Sequence, residues 1–199
     1  KENDAISQQV EATNGVELLF FTDRAQVYKT RAADFADTKA SVLGEYIPAR
    51  LSMDEGENAR VMVATKDYGG YMLFFFENGK AAKVELAAYA TKTNRKKLVN
   101  AYYAGNGLAA ALYIPQDCDV LLTASTGRLL LFNTALIQPK ATKNTQGVAA
   151  LTLKKGQRLI KAEIYVEGRL KNPARYRKKL PALGALPDAQ ETAGEQLTL

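Results

Sequence analysis

A chain of 199 residues with 47% hydrophobic side chains can bury a real core without disulfide or metal staples. It has no histidine and a single cysteine, Cys118, which excludes Ser-His and Cys-His nucleophile pairs, the usual structural zinc sets and any internal disulfide. The net charge of +6 points toward polyanions, and no apolar run approaches the ~20 residues of a membrane span.

In chain order, a candidate strand over 5–12 leads to a hairpin over 17–31. There Leu18, Leu19, Phe20 and Phe21 suit a buried strand, Asp23-Arg24-Ala25 the turn, and Gln26-Val27-Tyr28 the return. A second lead-in over 60–65 precedes a hairpin over 71–85. Its Asn78-Gly79 is the strongest of the three turn signals, because both residues tolerate the positive φ of a type I′ turn. A third lead-in over 108–114 precedes a hairpin over 119–133 that turns at Thr126-Gly127. Aligning Ala25, Gly79 and Gly127 gives a period of about 50 residues, within the range of propellers and solenoids. At a matching distance past each turn an apolar residue recurs (Phe35, Tyr89, Ile137), and further on a stretch of strand is expected near Gly44, Val99 and Gly147. Phe20, Phe74 and Leu122 hold equivalent places and are expected to face the core between blades. Residues 86–90 and 134–137 can each form a turn, and nothing reads as a long amphipathic helix.

A fourth lead-in, Lys154-Lys155-Gly156-Gln157-Arg158 followed by 159–166, has no hairpin after it. The chain therefore divides into units over 1–53, 54–104 and 105–153, a closing strand within 154–166, and a tail over 167–199. Four strands per unit is the arithmetic of a propeller blade, so the expected fold is all-β and propeller-like, with about three to four blades and an incomplete disc. The absence of tryptophan separates it from propellers with Trp-Asp motifs. The chain opens on Lys1 rather than Met, without a signal segment, and reads as part of a longer protein.

Positive charge is uneven. Lys and Arg against Asp and Glu stand at six to eight over 1–53, eight to six over 54–104, three to two over 105–153 and ten to five over 154–199. The sharpest cluster within the repeats is Lys92, Arg95, Lys96 and Lys97, with Lys39, Lys140 and Lys143 at related offsets. Successive blades place equivalent connections along one rim, so these form either a discontinuous basic stripe for a polyanion or a solvated edge whose lysines discourage aggregation. Lys80, Lys83 and Arg128 on the return strands, with Lys154, Lys155 and Arg158, complete the candidate set.

The hairpin over 18–29 (Leu-Leu-Phe-Phe-Thr-Asp-Arg-Ala-Gln-Val-Tyr-Lys) resembles the blade signature of the C-terminal domain of bacterial DNA gyrase and topoisomerase IV A subunits. So do Asn144-Thr145-Gln146-Gly147-Val148 and Leu151-Thr152-Leu153-Lys154-Lys155-Gly156, and the resemblance spans roughly 1–166. The final residues 194–199 also resemble the end of such subunits from Gram-positive anaerobes. The resemblance implies a β-pinwheel whose basic rim binds and bends duplex DNA. The other partners it implies are the ATPase subunit of a type IIA topoisomerase, together with the remainder of that enzyme's A subunit. It further implies no cofactor and a cytoplasmic, nucleoid-associated location. Two departures matter. The family's wrapping heptapeptide, Gln-Arg-Arg-Gly-Gly-Lys-Gly, is missing; the matching stretches 38–44, 93–99 and 142–148 do not carry it, which favours a topoisomerase IV-like or divergent role. Family discs usually have five or six blades, against three hairpins here.

Candidate catalytic groups are sparse. Asp117-Cys118-Asp119 reads as an inter-strand turn before it reads as a metal site, and Gly105-Asn106-Gly107 and Gly69-Gly70 are turn chemistry without the Lys-Ser/Thr of a phosphate loop. Arg175-Tyr176 matches the arginine-tyrosine pair with which type IIA topoisomerases cleave DNA, yet it stands in a proline-flanked tail; a structural or electrostatic role is expected. The basic run 172–179 suits phosphate contact with some stacking, and Tyr176 and Leu180 are the expected anchors if the tail packs. A DNA-binding accessory domain, a protein-interaction propeller and a carbohydrate- or ligand-binding enzyme domain are the three functional classes, the last disfavoured by the missing histidine and unclustered acids.

Overall fold

The computed structural model describes residues 5–191 except Asn14 and Ala40, so Lys1 and the 194–199 stretch lie outside the described residues. The three hairpins form where the alternation and turn residues place them: β1 (Glu17–Thr22) with β2 (Val27–Arg31), β4 (Tyr71–Phe76) with β5 (Lys80–Glu85), and β8 (Asp119–Ala124) with β9 (Leu129–Asn133). All three pairs are antiparallel in one register, with Glu17↔Arg31, Tyr71↔Glu85 and Asp119↔Asn133 at their open ends. The turn alignment holds in the backbone, since Ala25, Gly79 and Gly127 have φ of 53°, 85° and 85°. Short 3₁₀ turns follow each hairpin at Ala32–Asp34, Leu86–Tyr89 and Thr134–Leu136; the first was not anticipated from sequence.

The lead-in strands pair with the hairpin before them, not the one after. Thus β3 (Ala59–Thr65) adds to β1, β7 (Leu108–Ile114) to β4, and β11 (Leu159–Ile164) to β8. Two-residue edge strands close two of the sheets on the other side: β6 (Lys97–Leu98) on β2 and β10 (Val148–Ala149) on β5. Sheet orders are β3-β1-β2-β6, β10-β5-β4-β7 and β11-β8-β9. Each blade is therefore assembled from one repeat and strands of the segment that follows it, which ties neighbouring blades together covalently.

Alternation along the strands then fills the spaces between sheets. Leu19 and Phe21 of the first blade meet Met72, Phe74 and Phe76 of the second, with Tyr89 edge-on to Phe21 at 5.0 Å. Leu73 and Phe75, on the opposite face, meet Val120, Leu122 and Leu130 of the third. Full burial of each such side chain is worth roughly 1.5–3 kcal/mol. Phe74 and Leu122 thus sit between blades as expected, but Phe20 does not. It lies with Leu18, Tyr28, Phe35, Ile47 and Leu51 on the outer face of the first blade, where the chain's own 32–53 segment serves as the cover.

That role explains two further departures. No strand forms near Gly44; the segment instead contains α1 (Ile47–Arg50), started by Pro48, and no hairpin before it among the described residues offers it an edge. Residues 5–12 are irregular, and only the Gln8 side chain mimics a strand neighbour, accepting from Met62 N at 3.0 Å and donating to Met62 O at 2.5 Å. At the other end the tail packs. Tyr176, at the end of α2 (Pro173–Tyr176), is fully buried with Leu121, Leu129, Leu131 and Leu170.

Candidate nucleic-acid interface

The connection after the 3₁₀ turn of each later unit runs along the outer edge of the preceding blade. In the first blade, residues 91–98 follow β2: Lys29 N–H donates to Lys96 O at 2.7 Å, and Tyr28 and Val27 pair with Lys97 and Leu98. This ladder pins the backbone and turns Lys92, Arg95 and Lys96 outward, all exposed. A groove of about 330 Å³ opens between β2 and this connection, lined by Thr30, Arg31, Lys92, Thr93, Asn94 and Arg95 among others, with Glu17 and Asp34 as its acids. Arg31 carries no repeat signal and was missed in the sequence; only the paired edge brings it to this groove.

In the second blade, Lys140 is bonded through its backbone to Lys83 O at 2.8 Å and to Glu85 N at 2.9 Å, and Gly147-Val148 closes onto Ala81. Gly147 has φ of 81°, and a Cβ there would stand 2.6 Å from Ala81 O, so glycine is required for the close approach. Lys140 is exposed and Lys143 half-buried. The sequence candidates Lys92, Arg95, Lys96, Lys140 and Lys143 therefore occupy two successive sheet edges.

The other candidates separate from this set. Lys97 lies over the Tyr28 ring at 5.5 Å and holds Asp54 at 3.0 and 3.1 Å, a hydrogen bond that raises the lysine above its ordinary range. Its charge is already shared. Lys39 is exposed in a segment that joins no strand. Lys80 and Arg128 are half-buried at the start of their return strands, Arg128 donating to Gly184 O at 3.0 Å. Lys154, Lys155 and Arg158 are exposed at the opposite, turn end of the third blade, where Ser125 N–H donates to Arg158 O at 2.8 Å. The equivalent turn of the first blade carries the acids Asp54, Glu55 and Glu57 in place of these cations.

Lys83 must be withdrawn as a phosphate contact. It is 2% exposed, bonds Asp117 Oδ1 at 2.5 Å and Thr134 O at 3.2 Å, and lies 4.6 Å from the Tyr71 ring centre. Lys29, its repeat equivalent, is buried likewise, reaching Tyr89 O at 3.1 Å and Thr91 Oγ1 at 3.0 Å. Burial lowers the Lys29 ammonium from its ordinary range, against the opposing pull of Glu17. Both lysines bridge a blade to the turn region of the next. The third blade has no successor among the described residues and carries Leu131 at this place.

The acids of the 117–119 turn are also committed. The Lys83 hydrogen bond holds Asp117 below the usual carboxylate range, and the Arg177 hydrogen bond does the same for Asp119. Burial and the two flanking carboxylates push the Cys118 thiol up, opposite to what a reactive thiolate needs. Tyr176, fully buried, has no face left for a base.

The family model described as DNA gyrase C-terminal domain, beta-propeller, matches residues 17–41 and 119–165, the first hairpin and the third with its paired β11. The gyrase A protein of Staphylococcus aureus (strain MRSA252) is 22% identical over 166 residues, covering 82% of this chain. The chain spans 19% of the length of that relative. Among solved structures, the C-terminal domain of DNA topoisomerase IV aligns with a TM-score of 0.66 at 21% identity, over 77% of this chain and 48% of that one. The E. coli ParC C-terminal domain aligns with a TM-score of 0.67 at 14% identity, over 90% and 80%. Matching hairpins and the shared fold agree: the chain has the propeller-like β-pinwheel fold and is similar to the C-terminal domains of type IIA topoisomerase A subunits.

Proposed function

We propose that this domain binds duplex DNA without sequence preference along the sheet edges of its blades, bends it, and presents it to a catalytic core elsewhere in a type IIA topoisomerase. Its partners are then duplex DNA, the ATPase subunit of that enzyme, plus the remainder of the A subunit, in the cytoplasm and on the nucleoid. The domain itself is a non-catalytic accessory. The observation that carries this reading is the set of five cations, Lys92, Arg95, Lys96, Lys140 and Lys143, on two successive edges with no side-chain partner among the described residues. Such side chains meet phosphates rather than base edges, which positions DNA but does not read it.

Five phosphate contacts correspond to a logarithmic salt slope of about −4.5. Titrating a labelled duplex at several salt concentrations tests this. Salt-dependent binding, weakened by replacing Lys92, Arg95 and Lys96 with alanine, is the expected result; no binding even at low salt rejects the reading. A protein-interaction platform is the second reading, favoured by exposed Val42, Leu43 and Tyr46 beside the first blade. It predicts that the alanine variant behaves like the parent.

A further inference from the structure

Residues 177–185 of the tail stand where the edge connections stand in the other blades. In the second blade, Lys140 N–H donates to Lys83 O at 2.8 Å, and Val148 pairs with Ala81. In the third, Lys178 N–H donates to Leu131 O at 3.2 Å, and Ala185 exchanges both backbone bonds with Leu129 at 2.8 and 2.9 Å. Counted from the turn glycines Gly79 and Gly127, Leu131 is the equivalent of Lys83, and Leu129 of Ala81. The bridges Val84↔Lys140 and Leu131↔Arg177 are both parallel.

The glycines agree too. Gly147 has φ of 81° and would place a Cβ 2.6 Å from Ala81 O; Gly184 has φ of 77° and would place one 2.7 Å from Leu129 O. Each immediately precedes the residue that joins the return strand. The tail thus repeats the anchor points of the 140–148 connection, although its sequence shows no repeat. Three contacts hold it in place: the Arg177 guanidinium on Asp119 at 2.6 and 3.2 Å, Arg128 on Gly184 O at 3.0 Å, and the buried Tyr176 ring. Lys178 and Lys179 are exposed and have no side-chain partner among the described residues.

We infer that the tail is a substitute edge connection which carries the polyanion-binding edge onto the third blade, with Lys178 and Lys179 as its phosphate contacts. This rests on the proposed duplex binding. Arg177 acts as a positioning residue, its charge held by Asp119. Seven contacts in place of five steepen the salt slope to about −6.

The test is a salt titration of a labelled duplex with the full chain, comparing the parent, Lys178→Ala/Lys179→Ala, and a control of equal charge loss, Lys66→Ala/Lys171→Ala. The expected result is a parent slope near −6, a tail variant back at about −4.5 with severalfold weaker binding at 0.1 M salt, and a control that keeps the parent slope. Parent binding left unchanged by the tail variant, or reduced equally by the control, overturns this inference while leaving duplex binding intact. Absence of parent binding overturns both. Melting curves of the variants confirm that they are folded, as the exposure of both lysines leads one to expect.

Discussion

At the residue scale, the turn positions show how one backbone requirement is met under three different neighbourhoods. Gly79 has φ of 85°, and a Cβ there would stand 2.1 Å from Leu151 O; Gly127 has the same φ with open space around it. Gly127→Ala is expected to cost only the left-handed penalty of roughly 1–2 kcal/mol, and Gly79→Ala clearly more, because backbone must move. Ala25 already bears that strain at φ of 53°, so Ala25→Gly is expected to leave stability unchanged or raise it by up to about 1 kcal/mol. Denaturant midpoints of the three variants check the order. The Lys83–Asp117 pair makes a second prediction. The folded carboxyl of Asp117 titrates below its unfolded value of about 3.9, so its stabilisation is present above that pH and is lost as pH falls through the folded value. Lys83→Met is expected to cost about 1–3 kcal/mol at neutral pH, through loss of the charged hydrogen bonds to Asp117 and to the Thr134 carbonyl, and to flatten the acid limb of stability against pH. An acid limb as steep as the parent's refutes the assignment to this pair.

At the element scale, the edge connections behave as units held by a few backbone bonds, with side chains released to solvent. Lys97 belongs to such a connection but is bonded to Asp54, whereas Lys92, Arg95 and Lys96 are not. The triple alanine variant of those three is therefore expected to reduce the salt slope by about 2.7, and Lys97→Ala to change it by less than one contact. Equal losses per residue across all four would show that the Asp54 bond does not withhold Lys97. The hairpins were the most legible elements, since strand alternation and turn residues act within a dozen positions. The edges were legible only as charge clusters. Nothing in the run 172–179 states that it lies on β9, and Lys83 looks like any other lysine of a return strand until Asp117 is seen beside it.

At the scale of the whole molecule, the described residues form three blades packed in succession, with the 32–53 segment covering the first sheet and the tail the last. Tyr176→Ala removes the largest side chain of the second cover and the hydroxyl that accepts from Asp188 N–H, so a loss of about 3–5 kcal/mol is expected by thermal or chemical unfolding. A loss under about 1 kcal/mol would show that the tail adds little to the fold. DNA topology gives the other test. A bend of 40–90° over 20–30 base pairs costs on the order of 1–6 kcal/mol, and the proposed edge contacts would have to offset it without closing a turn. Ligating nicked circles with the domain bound is expected to give a small linking-number shift per domain. A large positive shift would establish wrapping without the family heptapeptide.

By itself the sequence determined the three hairpins and their bounds, the later lead-in strands and the turn alignment, because period-2 burial and positive-φ turns are local properties, while the strands expected over 5–12 and near Gly44 did not form. Only the tertiary structure decided which hairpin each lead-in joins: Glu17 meets Thr65, a separation at which alternation carries no information about partner choice. It also decided which lysines are free. A charge at a given repeat position bridges two blades where a next blade follows, as at Lys29 and Lys83, and is replaced by Leu131 where an apolar cover follows instead. Burial, and not residue type, makes that distinction.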